Sequence, residues 1–321
     1  MNTFKAMNTD FLLAGLAPEK TAAIQTLIEQ AQNAFSRFDP ASEISAINRR
    51  SGHWVTVSPL TFQVLLAAMD AYRETDGLFH PFLGDTMQQL GYDRSFEQLD
   101  SPPDWGSFRR SPAALLPTAG LPLAAYLELA EESSQVRLTP GVALDLGGIA
   151  KGWIAQHACD RLQLEGVTNG LIDAGGDIIL WGQHPQHTLW GVGVAPPSGT
   201  GADIADLWCE GTTAIATSSI VKRRWRTPQK KDQHHIIDPR TQAPAHSDLL
   251  QATVLSRDLV SAEQYAKCLL ILGSQTGPGW LQRKRPALAF IAVRSDGYVI
   301  RSNNLHWYCS EWEVQSNVNC I

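Results

Sequence analysis

The sequence predicts an α+β fold, helices first and antiparallel strands later, rather than a doubly wound sheet. Apolar residues recur at helical spacing at Ile24, Leu27, Ile28, Ala31 and Phe35, and again at Leu65, Ala68, Met69 and Tyr72. After Ile178 the apolar runs are short and separated by turn residues, the mark of consecutive antiparallel strands. The 321 residues, 44% apolar and 18% charged, can bury a sizeable core. We expect one domain over residues 1–321, made of two intimately packed lobes.

Phe4 to Ala14 reads as an opening strand interrupted at Met7-Asn8-Thr9. The first helix begins beyond Pro18 and breaks at Ser36-Arg37-Phe38-Asp39-Pro40, after which Ser42 caps a short helix through Asn48. The second long helix stops at Thr75-Asp76-Gly77, with Gly77 in the left-handed region. Ser101 to Pro122 carries five prolines and reads as a surface excursion. Tyr126 to Ala130 and Gln135 to Leu138 form a hairpin around Glu131 to Ser134. An apolar strand ending at Asp145 then turns through Gly147-Gly148 into a helix from about Ile149 to Leu164, with Ile154, Ala158 and Leu162 on its core face.

Strands at Ile178 to Trp181, Thr188 to Val194, Ile204 to Cys209 and Thr212 to Thr217 read as a meander turning at Pro196-Pro197 and Glu210-Gly211. Val260 to Gly273 is the last helix. Ala287 to Val293 and Tyr298 to Arg301 close the fold across Ser295-Asp296-Gly297. The residues from Asn303 onward carry no pattern that assigns a structure.

The net charge of −6 excludes nonspecific nucleic-acid binding, which needs a basic footprint, so an anionic ligand must be held by a local site. Phe11 to Ala17 is short for a secretory core and follows Asp10, so it reads as strand and no membrane segment is expected. Five cysteines without a CxxC pair indicate neither zinc nor a disulfide framework, and a reducing compartment fits.

Chemistry concentrates in Ala143 to Trp153 and Gly170 to Asp177. A helix N-terminus carries roughly half a positive charge, and with Lys151 in the first turn the Gly147-Gly148 corner suits a phosphate. A packing turn is the plainer alternative, and the spacing matches neither a Walker loop nor GxGxxG. His234 and His235 are adjacent on a strand and face opposite ways, so they do not share a metal. Glu263 and Lys267, four apart on a helix, make an ordinary ion pair. Lys222, Arg224, Lys230 and Lys231 read as a solvated edge.

These residues resemble the FAD:protein FMN transferase (ApbE) family, whose hallmark runs roughly DLGGIAKGYA and then NxGGD. The resemblance continues through Met7-Asn8-Thr9, Ser36 to Asn48, Thr75 to Pro81, Gly91 to Phe96, Thr217 to Arg223, His235 to Pro244 and Ala262 to Gly273. It implies an ApbE-like, T-fold-related α+β fold with a FAD site in a cleft between lobes. By the same resemblance, Phe38 stacks on adenine and Met7, Leu78, Phe79, His80 and Ile236 meet the flavin. Asp145 positions the nucleotide, Gly147, Gly148, Lys151 and Arg223 address the pyrophosphate, and His235 is the catalytic base. His80 stands where the family generally has Asp, and a surface position is its alternative.

The family's metal, magnesium, would fall on Gly148 O, Glu263 and Lys267. Lys267 replaces a threonine there, so its ammonium takes over part of the metal's role; the alternative keeps it on the solvent side of the helix. Ser219, Val221 and Gln242 also depart from the family pattern. The resemblance implies FMN transfer from FAD to a threonine or serine of an acceptor protein with release of AMP, in the cytoplasm because no lipobox cysteine is present. A FAD-binding protein without transfer and a metal-dependent FAD pyrophosphatase are the rival readings.

Overall fold

The structure is a computed structural model that describes residues 1–94, 122–226 and 232–316. Residues 101–121 of the expected surface excursion lie outside the described residues, as do Lys230, Lys231 and Cys320. The chain forms two compact units, the first comprising Met1–Ile28, Lys151–Arg224 and Ala245–Ile321 and the second Glu29–Ala150 and Trp225–Pro244.

The opening is a hairpin rather than one interrupted strand: β1 (Asn2–Ala6) and β2 (Thr9–Ala14) pair with Ala6 opposite Thr9. Met7 and Asn8 form the two-residue turn at φ 50° and 56°, the left-handed geometry that such turns impose. Helix α1 (Pro18–Phe35) buries Ile24, Ile28 and Ala31 as its periodicity requires. The Ser42 hydroxyl caps α2 (Glu43–Arg49) by accepting from Ser45 N–H. After β3 (Trp54–Thr56), Ser58 caps α3 (Pro59–Glu74), and Asp76 and Gly77 end that helix at φ 53° and 77°. The short α4 (Gly84–Gln89) follows. The expected hairpin forms from β4 (Leu127–Ala130) and β5 (Gln135–Leu138), and β3 joins β5 to complete a three-stranded sheet in the second unit.

No strand leads to Asp145. Residues 142–146 belong to no sheet, and their backbone groups find other partners, as buried peptide groups must. Leu144 exchanges two hydrogen bonds with the Asn48 side-chain amide, Gly84 N–H donates to Ala143 O, and Asp145 N–H donates to Pro81 O. A single asparagine side chain thus does the work of a neighbouring strand. Helix α5 (Ala150–Leu164) then buries Ile154, Ala158 and Leu162.

The remaining strands are β6 (Gly170–Ala174), β7 (Ile178–Trp181), β8 (Trp190–Val194), β9 (Ala205–Cys209), β10 (Thr213–Ser219), β11 (Arg224–Arg226), β12 (Asp232–His234), β13 (Ile237–Asp238), β14 (Ala243–Pro244) and β15 (Leu249–Ser256). Helix α6 (Leu259–Lys284), β16 (Ala289–Arg294), β17 (Val299–Arg301) and β18 (Cys309–Val314) complete the described chain. The first unit is built on an eight-stranded sheet in the order β1-β2-β6-β7-β10-β15-β16-β17. The expected meander is split: β7 pairs directly with β10, while β8 and β9 leave to form a second sheet, ordered β18-β9-β8. The cause is apolarity on two faces. Leu180, Ile215, Leu255 and Ile291 of the large sheet share one core with Val192, Leu207 and Cys309 of the small one. Helix α6 packs on β15 and β10, and β15 is accordingly buried along nearly all its length.

The tail, for which the sequence offered no assignment, is β18, the edge strand paired with β9. Helix α6 begins at the Asp258 cap and kinks at Gly273 (φ 74°, ψ 175°), where the expected helix end falls. Among the described residues no helix is long and apolar enough to cross a membrane.

Candidate functional site

In the first unit the charged groups gather around the start of α5. Lys151 forms an ion pair with Asp177 and lies 3.7 Å from Glu263 Oε1. Burial opposes the charge on Lys151, but Asp177 and Glu263 outweigh it and raise the pKa of the ammonium, against a smaller push from Arg223. Glu263 is 1% exposed, and both its oxygens are engaged: Oε2 accepts from Gly152 N–H at 3.0 Å, and Oε1 accepts from Lys267 Nζ at 3.1 Å. The Lys267 ammonium also donates to Glu263 O at 3.3 Å. A solvent-side ion pair is therefore the wrong picture for Glu263 and Lys267, since the carboxylate is wholly buried beside α5.

Gly152 makes this docking possible. A Cβ there would stand 2.5 Å from Glu263 Oε2 and 3.3 Å from Leu259 O. The sequence contained the glycine within its strongest motif, but without a partner for it no role could be assigned.

The turn after β6 is built alongside. Gly175 and Gly176 lie at φ 74° and 92°, and Asp173 Oδ1 accepts from Gly176 N–H at 2.6 Å. Burial raises the Asp173 pKa, the Gly176 amide counteracting in part. A Cβ on Gly175 would fall 1.8 Å from Thr9 Oγ1, so the glycine brings this turn onto the hairpin that carries Met7. Beyond β10, Val221 N–H donates to Ser219 Oγ at 3.1 Å, a side-chain turn where the family pattern has glycine. Arg223 is half-buried while Lys222 and Arg224 are exposed, which separates it from the solvated edge around it.

In the second unit Asp145 is the hub. Its Oδ2 accepts from Arg37 Nε at 2.8 Å and its Oδ1 from Gly147 N–H at 2.7 Å. The expectation that the Gly147 backbone addresses the pyrophosphate meets a competing partner: Gly147 N–H is taken by Asp145, whose carboxylate shapes the corner. Gly148 is half-buried. Arg37 also donates to Tyr92 O, and its guanidinium lies 4.1 Å from the Phe38 ring centroid and 5.0 Å from that of Tyr92. Tyr92 stacks on Trp225 at 5.2 Å, and Trp225 Nε1 donates to Leu90 O at 2.7 Å. Phe38 is thus one member of a cluster with its chain neighbour Arg37 and with Tyr92 and Trp225, and the cluster is not visible in the sequence because the last two are distant along the chain.

Leu78 is half-buried and Phe79 is buried in the loop after α3. His80 is a core residue, and its alternative reading as a surface residue is overturned: its ring meets Tyr72, Phe82 and Tyr126 edge-on at 5.1, 5.8 and 5.3 Å. Burial lowers its pKa to about 4. His235 sits half-buried at the bend after β12, with Ile236 buried beside it. Gln242, where the family pattern has glycine, adopts the left-handed conformation (φ 54°) that glycine accepts most readily, its N–H donating to Asp238 O at 2.8 Å.

The ApbE family model matches residues 3–292. The chain belongs to the ApbE family. Among its ApbE relatives is a protein of Klebsiella pneumoniae named FAD:protein FMN transferase, 30% identical over 268 residues, covering 81% of this chain and 78% of the relative. A protein of the same name from Vibrio cholerae is 25% identical over 287 residues, covering 88% and 83%. The crystal structure of the ApbE protein of Thermotoga maritima superposes with a TM-score of 0.80 at 25% identity, covering 97% of this chain and 99% of that one. The ApbE match ends within β16, so β17 and β18 lie beyond it.

Proposed function

We propose that this chain transfers FMN from FAD to a threonine or serine hydroxyl of an acceptor protein and releases AMP. The observation that carries the reading is the Lys151 ammonium, fixed by two buried carboxylates at the head of α5, in an ApbE chain whose relatives are named FAD:protein FMN transferases. In the reaction the acceptor oxygen attacks the phosphorus of the FMN half. A new P–O ester bond forms, the pyrophosphate bond breaks, and AMP departs with its electron pair while the hydroxyl proton passes to His235.

Lys151 and Arg223 offset the charge that builds on the departing phosphate, and the Gly148 amide donates to the pyrophosphate. Asp145 acts on the nucleotide through Arg37, which it holds by a charged hydrogen bond. Phe38 takes the adenine, with Met7, Leu78, Phe79 and Ile236 along the flavin, and His80 anchors the same loop among Tyr72, Phe82 and Tyr126. The two units serve as one functional domain, in a reducing compartment such as the cytoplasm, in keeping with the free thiols Cys159, Cys209, Cys268 and Cys309 among the described residues.

The donor set around Glu263 does not fit magnesium. That ion asks for near-octahedral oxygen ligands at about 2.0–2.1 Å. Here one glutamate oxygen faces two ammonium groups and the other an amide, and a protonated lysine has no lone pair to give.

The test is product analysis after incubation with FAD and a threonine-bearing acceptor protein. FMN attached to the acceptor with equimolar AMP is expected; free FMN and AMP would mean hydrolysis, and unchanged FAD would mean binding alone. In the same assay His235→Asn should lower the rate about a hundredfold to ten-thousandfold while FAD affinity is kept.

A further inference from the structure

We infer that Lys267, with Lys151, provides at Glu263 the positive charge that a divalent ion would bring, so that this chain binds FAD without metal. The inference deepens the FAD reading above and rests on it. Glu263 is spaced four residues before Lys267 on α6, the favourable orientation for a helical ion pair. Unlike a surface pair, its carboxylate is enclosed, and each polar contact is accounted for by a named donor: Lys267 Nζ and Lys151 Nζ at Oε1, and Gly152 N–H at Oε2.

A divalent ion drawn to Oε1 would have to share that oxygen with Lys267 and would be repelled by it and by Lys151. To bind, it would have to expel a lysine. The surrounding groups do not alter this balance: Asp177 is paired with Lys151, Asp173 has its pKa raised by burial, and Arg223 adds a further cation. The lysines keep the positive charge in place before any ligand arrives, which is what a preorganised anion site requires.

Mn2+ titrated into the full chain and followed by electron paramagnetic resonance tests this, with FAD affinity measured in parallel by flavin fluorescence in magnesium or in EDTA. For the unmodified chain no Mn2+ site is expected, and the FAD dissociation constant should be the same in both buffers within about twofold. Lys267→Thr removes the nearer of the two ammonium groups at Glu263 Oε1 and supplies a neutral oxygen, so it should acquire a Mn2+ site and lose at least about tenfold in FAD affinity in EDTA, with recovery in magnesium. Lys267→Arg keeps the charge and should remain without a Mn2+ site. A Mn2+ site in the unmodified chain, or a tenfold dependence of its FAD affinity on magnesium, overturns the inference. Failure of the FAD reading would show separately, as absence of FAD binding in every buffer, while the Mn2+ arm still decides whether the lysine excludes metal.

An independent observation carries a second proposal. Cys209 and Cys309 stand opposite each other on β9 and β18 with their sulfurs 3.6 Å apart, and we propose that a disulfide-class oxidant such as oxidised glutathione converts them to a disulfide. Two thiols lose two protons and two electrons, the S–S bond forms, and two glutathione thiols are released. Both sulfurs are buried, but β18 is an edge strand, and fraying of that edge admits the reagent. The Cys309 pKa is lowered by the Cys209 thiol and, more weakly, by Arg257, against an opposing push from burial. Peptide mapping under non-reducing conditions after glutathione treatment should link the peptides of Cys209 and Cys309 and leave Cys159 and Cys268 open to alkylation. Cys309→Ser should remove the link without changing FAD affinity. Full alkylation of Cys209 and Cys309 in the treated, denatured chain would overturn the proposal.

Discussion

Gly152 and Glu263 show how one missing side chain can govern a site. The glutamate approaches α5 through the space a Cβ would fill, so Gly152→Ala should displace the carboxylate from both lysines. Overpacking of this kind costs about 1–3 kcal/mol; urea denaturation should register it, together with weaker FAD binding. Phe38→Ala should weaken FAD by about 1–3 kcal/mol, the contribution of one stacked base, and leave FMN unaffected. Equal losses for both ligands in a calorimetric titration would remove Phe38 from the adenine.

His80 supplies a pH dependence. Its pKa is about 4 in the folded chain against 6.5 ordinarily, so between those values the unfolded chain binds the extra proton. The stability contributed by the neutral ring is complete above about pH 6.5 and is lost as pH falls toward 4. Urea midpoints followed across that window should fall, and His80→Phe should flatten the fall. At this scale the sequence was legible wherever a residue type carries its own chemistry, as with Lys151 or Glu263. It was silent on Arg37, Tyr92 and Trp225, whose roles exist only once remote loops meet.

The elements most clearly written in the sequence are those with a local cause. The periodicity of α3, the Ser42 cap and the Gly77 stop each act within a few residues, and each appears where expected. The segment before Asp145 was misread as a strand because extended backbone and apolar residues look the same whether the partner is a strand or the Asn48 amide. Helix α6 holds a further instance. At the Gly273 kink Asp248 accepts from Ser274 N–H at 2.9 Å and from its hydroxyl, capping the second half of the helix from a distant loop. Asp248→Ala should cost about 0.5–2 kcal/mol, as loss of a cap does. Burial raises the Asp248 pKa, but the Ser274 bonds prevail and the net shift is downward. The cap is therefore fully effective above the ordinary carboxylate pKa and fades as pH falls through the lowered one, so the difference between Asp248→Ala and the parent in thermal unfolding should shrink in acid.

At the scale of the whole molecule, the α+β order of elements was legible because amphipathic periods of different length mark helices and strands. The division of the strands into two sheets was not, because alternation tells which face is buried and not against what. The tail was the least legible part, since β18 has meaning only beside β9. A chain ending after Asn304 would lose Leu305, Tyr308 and Cys309 from the shared core, at about 1.5–3 kcal/mol for each large apolar side chain. Its melting temperature should drop and its aggregation on warming should rise, as calorimetry and light scattering would show.

That pairing also sets an order of events on the ribosome. Cys209 and Cys309 are separated by 100 residues, so at about 5–20 residues per second β9 waits on the order of 5–20 s before its partner strand is made. Through that interval the nascent chain displays an open strand edge, and a two-stranded hairpin is marginal in water. Synthesis speed and chaperone supply, alongside equilibrium stability, then bear on how much of this protein a cell obtains.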